Sequence, residues 1–102
     1  MSKMVPTVLK LDLTNSAQRI SSSNLWVKHV TFQGALANVG NCAIGKSDVA
    51  LIKGHNLDGG QSFTIDLIGK STEGINLYDV YAISDQASGD DLLVTYLVET
   101  GV

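Results

Sequence analysis

The chain has few of the residues from which metal sites and nucleophilic active sites are built. Its 102 residues include one cysteine, Cys42, and two histidines, His29 and His55. A single cysteine cannot form an intrachain disulfide, and this set is too small for a structural zinc site. We therefore expect a buried, inert thiol at Cys42, a solvated histidine at each of the other two positions, and no metal-binding, cofactor-binding or catalytic residues.

Positive charge and long apolar runs are also scarce. The formal net charge is −3 and charged residues make up 17% of the chain, so no basic face for binding phosphates is evident. We expect no nucleic-acid partner. No apolar run approaches the roughly 20 residues of a membrane span, and the first residues lack the apolar stretch of a secretory signal. We expect no membrane partner and expect synthesis in a cytosol.

Short stretches of alternating apolar and polar residues are what the chain does contain. Glycine, aspartate and asparagine separate them, and this spacing predicts about seven short strands and no long helix. The fold class expected is all-β, an antiparallel β-sandwich or jelly roll. The segment 49–52 is either a strand or one helical turn, and the remaining predicted strands cover residues 7–14, 25–33, 42–45, 61–68, 76–83 and 92–98.

Residues 76–83 and 92–98 are the two most strand-like segments. They are rich in aromatic and β-branched residues, and the polar run 84–91 joins them. This pattern predicts an antiparallel hairpin at the centre of the sheet, with Asp90 and Asp91 in a solvated turn. Trp26 is expected to face inward with Val30, and most of the core is expected from Phe32, Phe63, Ile65, Val80, Val94 and Tyr96.

The chain length indicates a single domain. Residues 1–6, which end at the lone proline Pro6, are expected to form an N-terminal arm, because termini stay loose unless they dock. The domain is then residues 7–99, and residues 100–102 form a C-terminal tail. Such an arm can dock on a neighbouring subunit, and extended segments can add to a neighbour's sheet.

One segment matches a phosphate-binding motif. Residues 40–47, Gly-Asn-Cys-Ala-Ile-Gly-Lys-Ser, satisfy the pattern G-x-x-x-x-G-K-[ST], in which backbone amides and a lysine hold phosphates at the start of a helix. A P-loop requires a long helix after Lys46 and Ser47, yet Gly54 interrupts the apolar residues that follow. We interpret the segment as a short strand, residues 42–45, flanked by turns, and keep a nucleotide-dependent enzyme as a hypothesis testable with Lys46→Ala.

Five segments, taken in order, resemble small structural proteins of tailed bacteriophages. The similar features are a V-x-x-V-x-x-Q strand, an N-x-G-x-x-x-I-G hairpin, an L-x-x-G-x-S-x-x-I strand, an L-x-D-x-Y strand and a final V-x-V-x-Y-like strand. They lie at residues 27–33, 38–45, 57–65, 77–83 and 93–96, and the resemblance covers residues 5–98.

The resemblance implies a non-enzymatic virion component, a head decoration or cement protein on the capsid surface, commonly a homotrimer. Its expected partner is the major capsid protein or another virion protein. Similar modules occur in tail, neck and fibre proteins, so those locations remain open. A fibre-associated module could bind a host glycan, and Trp26, Tyr78 and Tyr81 would then form an exposed aromatic platform, although aromatics at strand spacing also suit a core or a subunit interface.

Overall fold

A computed structural model describes the backbone of residues 3–100 and the side chains of residues 5–97. Residues 1–2 of the expected arm and 101–102 of the expected tail lie outside the described residues. In chain order the elements of residues 3–100 are β1 Lys3–Leu13, β2 Gln18–Arg19, β3 Trp26–Val27, β4 His29–Gly34, β5 Cys42–Gly45, β6 His55–Leu57, β7 Ser62–Asp66, β8 Ile75–Asn76, a 3₁₀ helix Leu77–Asp79, β9 Tyr81–Ser84 and β10 Asp90–Thr100.

Eight of these strands form two antiparallel sheets. The first sheet has the order β1-β10-β4-β7, the second has the order β2-β9-β5-β6, and β3 pairs with β8 in a separate two-stranded sheet. If that small pair is set aside, the first sheet holds the first, eighth, third and sixth strands, and the second holds the others. This is the strand order of a jelly roll. The predicted all-β antiparallel sandwich is confirmed, with ten strands in the described residues rather than about seven.

The core lies between the two sheets. The first sheet contributes Val30, Phe32, Leu92 and Val94, and the second contributes Cys42, Ile44, Leu57 and Ala82. Each set alternates along its strands with residues of the opposite face, as expected for a sheet that buries one face. Of the predicted core residues, Phe32 and Val94 are fully buried, and the others pack against the core while partly buried: Phe63, Ile65, Val80 and Tyr96.

The predicted central hairpin is wrong. The 3₁₀ helix Leu77–Asp79 interrupts the first of its two strands, and the remaining strand, β9, belongs to the second sheet. β10 belongs to the first sheet, where it lies between β1 and β4. The polar run between Ser84 and Asp90 therefore crosses from one sheet to the other. A hairpin turn and a crossing between sheets use the same turn-forming residue types, so composition alone could not distinguish the two connections.

The predicted inward orientation of Trp26 is also wrong. A bend at Lys28 separates β3 from β4, so the alternation of side chains does not continue through the predicted strand. Val27 and Val30 are both buried in the core, whereas Trp26 is 52% exposed. In place of the core, Trp26 lies in the two-stranded sheet, where it pairs with Asn76.

The first strand begins at Lys3 rather than at residue 7. Lys3 pairs with Thr100 and Pro6 pairs with Leu97, so Pro6 does not end the strand. A proline is tolerated here because β1 is the edge of its sheet, where a missing N–H faces outward. Residues 3–6 belong to β1, although the expected arm extended to residue 6. The division into an arm, a domain and a tail stays a prediction.

Beyond the sandwich, β1 and β10 continue as a two-stranded ribbon. β4 pairs with β10 only from Leu92 to Tyr96, so among the described residues no third strand pairs with residues 3–6 and 97–100. β3 contacts β10 without pairing with it. We call these two segments the ribbon. The described molecule measures 44 × 25 × 21 Å.

The strand register defines two ends of the sandwich. Leu13 pairs with Asp90 at the end of β1, and the Ser84 amide donates to the Thr14 carbonyl at 2.8 Å, which brings the corresponding end of β9 to the same place. We call this the loop end; it includes residues 35–41, 58–61 and 85–91. The opposite end, from which the ribbon projects, is the ribbon end.

Candidate contact surfaces and the loop network

The segment that matches the P-loop pattern forms a strand and a turn. β5 covers Cys42–Gly45 and is followed by a turn in which the Val49 amide donates to the Lys46 carbonyl at 2.8 Å. No α-helix follows Lys46 in the described residues. The strand predicted over residues 42–45 is therefore confirmed, and the helix that a nucleotide-binding loop requires is missing from this segment.

The backbone amides of this loop are already bound to carboxylates of the chain itself. The Val39 amide donates to Asp90 Oδ1 at 2.9 Å, the Gly40 amide donates to Asp90 Oδ2 at 3.0 Å, and the Asn41 amide donates to Asp85 Oδ1 at 3.1 Å. Successive amides that point to one side form an anion-binding concavity. Here the anions are side chains, so the amides of Val39, Gly40 and Asn41 are not open to a phosphate.

Asp90 is a buried carboxylate, and the prediction that it lies in a solvated turn is wrong. Its side chain is part of a residue only 1% exposed, and Asp90 Oδ2 also accepts a hydrogen bond from the Ser84 hydroxyl at 3.1 Å. With the amides of Val39 and Gly40, the carboxylate accepts three hydrogen bonds. Such charge-assisted bonds offset the cost of removing a carboxylate from water.

Gly40 is required where the loop approaches the β9–β10 connection. A Cβ atom on Gly40 would overlap the carboxylate of Asp85 and lie 2.7 Å from Gln86 Cγ. A side chain at this position would therefore displace the group that binds the Asn41 amide. Close packing against Asp85 therefore accounts for the glycine at this position of the P-loop-like segment.

Further hydrogen bonds join the other loops at this end. Asn38 bonds twice to the backbone of Asp91, donating to its carbonyl and accepting from its amide, each at 2.8 Å. The Asn41 side chain donates to Asp58 at 2.6 Å. Three connections that are far apart in sequence are thus held together, and we call this set of bonds the loop network.

Cys42 lies beneath the loop network. Its thiol is buried and donates to the Leu57 carbonyl at 3.4 Å. Burial raises the pKa of the Cys42 thiol above its ordinary value, and the charges of Asp90, Asp58 and Asp85 raise it further. The predicted buried, free cysteine is confirmed, and its protonated form is favoured.

The two histidines lie on different strands and do not form a common site. His29 is half-buried on β4 rather than solvated as expected. His55 is exposed on β6 rather than in a turn, and its ring stacks on Phe63 with the ring centroids 4.1 Å apart. Within the described part of the chain, no group of three or more His, Cys, Asp or Glu residues is placed to hold a metal ion.

An open cleft of about 300 Å³ lies between the sheets. Its walls are apolar, and Lys46 and Asp79 provide the charged groups of its lining. The other lining residues are Phe32, Ile44, Gly45, Phe63, Ile65 and Val80. The volume is at the lower limit of small-molecule sites, and few polar groups converge on it to orient a ligand.

Two of the three proposed platform residues surround an arginine. The Arg19 guanidinium carbon is 3.8 Å from the centroid of the Tyr78 ring and 4.8 Å from that of Tyr81. Arg19 also donates to the Tyr78 carbonyl. One face of each tyrosine is therefore covered by a cation, and these cation–π contacts fix the arginine at the edge of the second sheet. Trp26 is not part of this cluster.

Large apolar side chains are exposed at both ends and along the β1 edge. The most exposed, each above 80%, are Ile52 in the β5–β6 connection and Leu36 and Val39 at the loop end. The others, between 42% and 63% exposed, are Val5, Val8, Trp26 and Ile68. Single exposed apolar residues are normal on a protein surface. These seven exposed side chains are the candidate apolar contact points of the described surface.

Comparisons with known proteins identified no relative of this chain. No protein-family model, no curated protein and no solved structure matches it. In the described residues, no helix is both long enough and apolar enough to cross a membrane.

Sequence reasoning missed the long-range contacts of two polar side chains, Asp90 and Arg19. Asp90 binds amides about fifty residues earlier in the chain, and Arg19 contacts tyrosines about sixty residues later. Neither pairing has a local spacing that a sequence pattern could reveal. Only the strand order brings these residues together.

Proposed function

We propose that this protein is a non-enzymatic virion structural protein of a tailed bacteriophage, a head decoration protein that stabilises the capsid by contact. In this proposal it is made in the host bacterial cytoplasm, assembles as a homotrimer on the capsid surface and binds across major capsid protein subunits. Binding to the assembled shell stabilises it by mass action and needs no chemical step.

The observation that supports this proposal best is the ribbon. Residues 3–6 and 97–100 extend past the end of β4. Val5 lies in this ribbon, and 42% of it is exposed. A projecting ribbon offers an apolar side chain together with two unpaired backbone edges. These are the groups that an extended segment uses when it joins a neighbour's sheet.

The fold is compatible with the proposal by analogy. Jelly rolls recur in viral capsid proteins and in lectins. Because one fold supports many functions, this analogy narrows the range of functions without selecting one. The binding of two loop-end amides by the buried Asp90, in place of a phosphate, also agrees with a protein that acts by contact.

Deletion of residues 1–6 tests the proposal. The deletion removes one strand of the ribbon and leaves the pairing of Thr7 with Tyr96 and all later pairs in place. We expect the shortened chain to fold and to lose most of its co-sedimentation with phage heads that lack a decoration protein. Unchanged attachment would contradict the proposal.

A matched control separates the ribbon from the other exposed apolar residues. Leu36→Ser and Val39→Ser change two strongly exposed side chains at the loop end, at the opposite end of the molecule. These variants should attach as the unmodified chain does. Equal loss of attachment in the control and in the deletion would contradict a specific role for the ribbon.

The second candidate function is that of a tail, neck or fibre module that binds another virion protein or a host glycan. The exposure of Trp26 favours a glycan contact, because 52% of this large aromatic residue is open to solvent. A glycan array probed with the whole chain and with Trp26→Ala tests it. Binding that disappears in Trp26→Ala would favour this function over decoration, and silence on the array would remove the glycan hypothesis.

A further inference from the structure

The two outer strands of the first sheet differ in length, and each leaves its outward backbone N–H and C=O groups unpaired within the described residues. β1 forms one edge and β7 forms the other, and no strand lies beyond either in the described part of the chain. Unpaired edges attract other strands unless they are covered or charged. Each edge can therefore pair with a strand of another chain that fits it.

Hydrogen bonds within the sheet show which residues present their backbone groups outward. The Leu67 amide donates to the Lys28 carbonyl at 2.6 Å, so by alternation the amides of Ser62, Thr64 and Asp66 face away from β4. On the other side of the sheet, the Ala35 amide donates to the Asp91 carbonyl at 3.1 Å. Asp91 therefore faces β4, and the neighbouring positions of β10 face β1.

The same alternation gives the outward groups of β1. Leu11 and Leu13 pair with Leu92 and Asp90, so their backbone groups face β10, and those of Val8, Lys10 and Asp12 face outward. Pro6 also faces outward and has no amide hydrogen to donate. Proline thus separates the ribbon from the rest of this edge and leaves residues 8–12 as the segment that can pair.

We propose that β1 of one copy pairs antiparallel with β7 of a second copy, with Lys10 opposite Asp66. The direction follows from the sheet, because three successive antiparallel pairings make β7 antiparallel to β1. If the first sheet of a second copy continues the sheet of the first copy past β7, then β1 of the second copy runs antiparallel to β7 of the first.

Charge and apolar character select this register. With Lys10 opposite Asp66, Asp12 lies opposite Thr64, and on the inner face Leu11 lies opposite Ile65. Moving β1 by two residues in one direction places Asp12 opposite Asp66, and like charges directly opposite each other are destabilising. Moving it by two in the other direction places Val8 opposite Asp66. Only the proposed register pairs opposite charges directly.

The existing neighbours of Lys10 and Asp12 agree with an additional partner. Asp12 pairs with Asp91, so two carboxylates are adjacent across β1 and β10. Lys10 contacts Asp91 at 3.6 Å with 62% of its side chain exposed. An exposed ion pair of this kind is weak, so Lys10 is free to contact a second carboxylate.

The contact uses a different surface on each copy. Such head-to-tail contacts form a closed ring when the rotation between copies closes. The inference takes from the proposed function only the expectation of a homo-oligomer. Self-association of the purified chain is measured without phage heads, so its failure and the failure of capsid attachment are separate results.

A charge exchange tests the register. Analytical ultracentrifugation of the full chain should show a closed oligomer, and Lys10→Glu or Asp66→Lys should each weaken association by about tenfold or more per contact. The double variant Lys10→Glu/Asp66→Lys should restore association. Lys46→Glu, a charge reversal at an exposed position outside both edges, is the matched control and should associate as the unmodified chain does.

The same variants can overturn the proposal. A monomeric unmodified chain, or single variants that associate as well as the unmodified chain, would contradict it. Restoration by Lys10→Glu/Asp12→Lys in place of the Asp66 exchange would show that two β1 strands pair with each other, and would also overturn it. Thermal unfolding of each variant is the control for folding. Each variant should unfold at a temperature close to that of the unmodified chain, so that weakened association is not caused by loss of the fold.

Discussion

The two ends of the sandwich differ in how their polar groups are satisfied. At the loop end, the carboxylates of Asp90 and Asp85 bind three successive backbone amides, and Asn38 bonds twice to the backbone of Asp91. At the ribbon end, residues 3–6 and 97–100 have only each other as strand partners among the described residues. One end is closed by internal bonds, and the other presents unpaired backbone groups.

Because of this difference, we expect the loop end to stabilise the fold and the ribbon end to contact partners. Backbone groups bonded within the chain gain nothing from a partner, whereas those at a strand edge can bond a second chain. We therefore expect substitutions at the loop end to change the free energy of unfolding most. Changes at the ribbon end should alter attachment with little effect on folding.

Asp90→Ala should have the largest effect. The substitution removes the acceptor of the Val39 and Gly40 amides and of the Ser84 hydroxyl, and leaves these donors without a carboxylate. We expect the free energy of unfolding to fall by about 4 kcal/mol. Urea denaturation measures it, with the exposed Asp12→Ala as the control. A loss below about 1 kcal/mol would show that the loop network contributes little.

Gly40→Ala should have the next largest effect. Its Cβ atom would overlap the Asp85 carboxylate, and the displaced loop should cost about 2 kcal/mol. In an Asp85→Ala background the same substitution should cost less, because the overlapping carboxylate is gone. Equal costs in both backgrounds, measured by a double-mutant cycle, would place the strain elsewhere.

The titration of Cys42 should give a smaller effect that depends on pH. Its thiol pKa is raised in the folded state by burial, so the folded chain binds this proton more tightly than the unfolded chain does. The associated stability is complete below the pKa of the unfolded chain, near the ordinary thiol value of 9.0, and is lost as pH rises through the folded pKa. The slope is at most about 1.4 kcal/mol per pH unit.

Comparison with Cys42→Ala isolates this effect from other groups that titrate in alkali. The difference in unfolding free energy between the two chains should change above pH 9.0 and stay constant below it. A constant difference over the whole range would show that the thiol titrates alike in both states. Slow reaction of the folded chain with a thiol reagent is expected for the same reason.

Deletion of residues 1–6 should have the smallest effect on stability. The deletion removes pairs that no third strand supports, so the unfolding free energy should fall by about 1 kcal/mol or less. Thermal unfolding with circular dichroism measures it. A loss as large as that of Asp90→Ala would mean that the ribbon is part of the stable core, and the contrast between the two ends would be wrong.

The alternation of apolar residues predicted the fold class and many of the strand positions. It succeeded for β7, whose polar residues face solvent and whose Phe63 and Ile65 face the core. It failed at Trp26, where the bend at Lys28 changes the alternation, because a backbone bend has no distinct composition. The alternation also could not assign β9 and β10 to different sheets.

The contact surfaces were less predictable than the fold. The sequence indicated an arm over residues 1–6, but pairing of residues 3–6 with residues 97–100 joins the two ends of the chain, which no local pattern reveals. The outward groups of β1 and β7 follow from strand order, and strand order depends on long-range pairing. The burial of Asp90 was not predictable from its neighbours in sequence, because the amides that bind it lie in another loop.

Hydrogen exchange on the free chain and on the same chain bound to phage heads tests the central claim most directly. Binding through the ribbon predicts slower exchange in residues 3–8 and 97–100, with residues 38–41 and 85–91 unchanged because their amides are already bonded within the chain. Slower exchange confined to the loop end, with the ribbon unchanged, would contradict it.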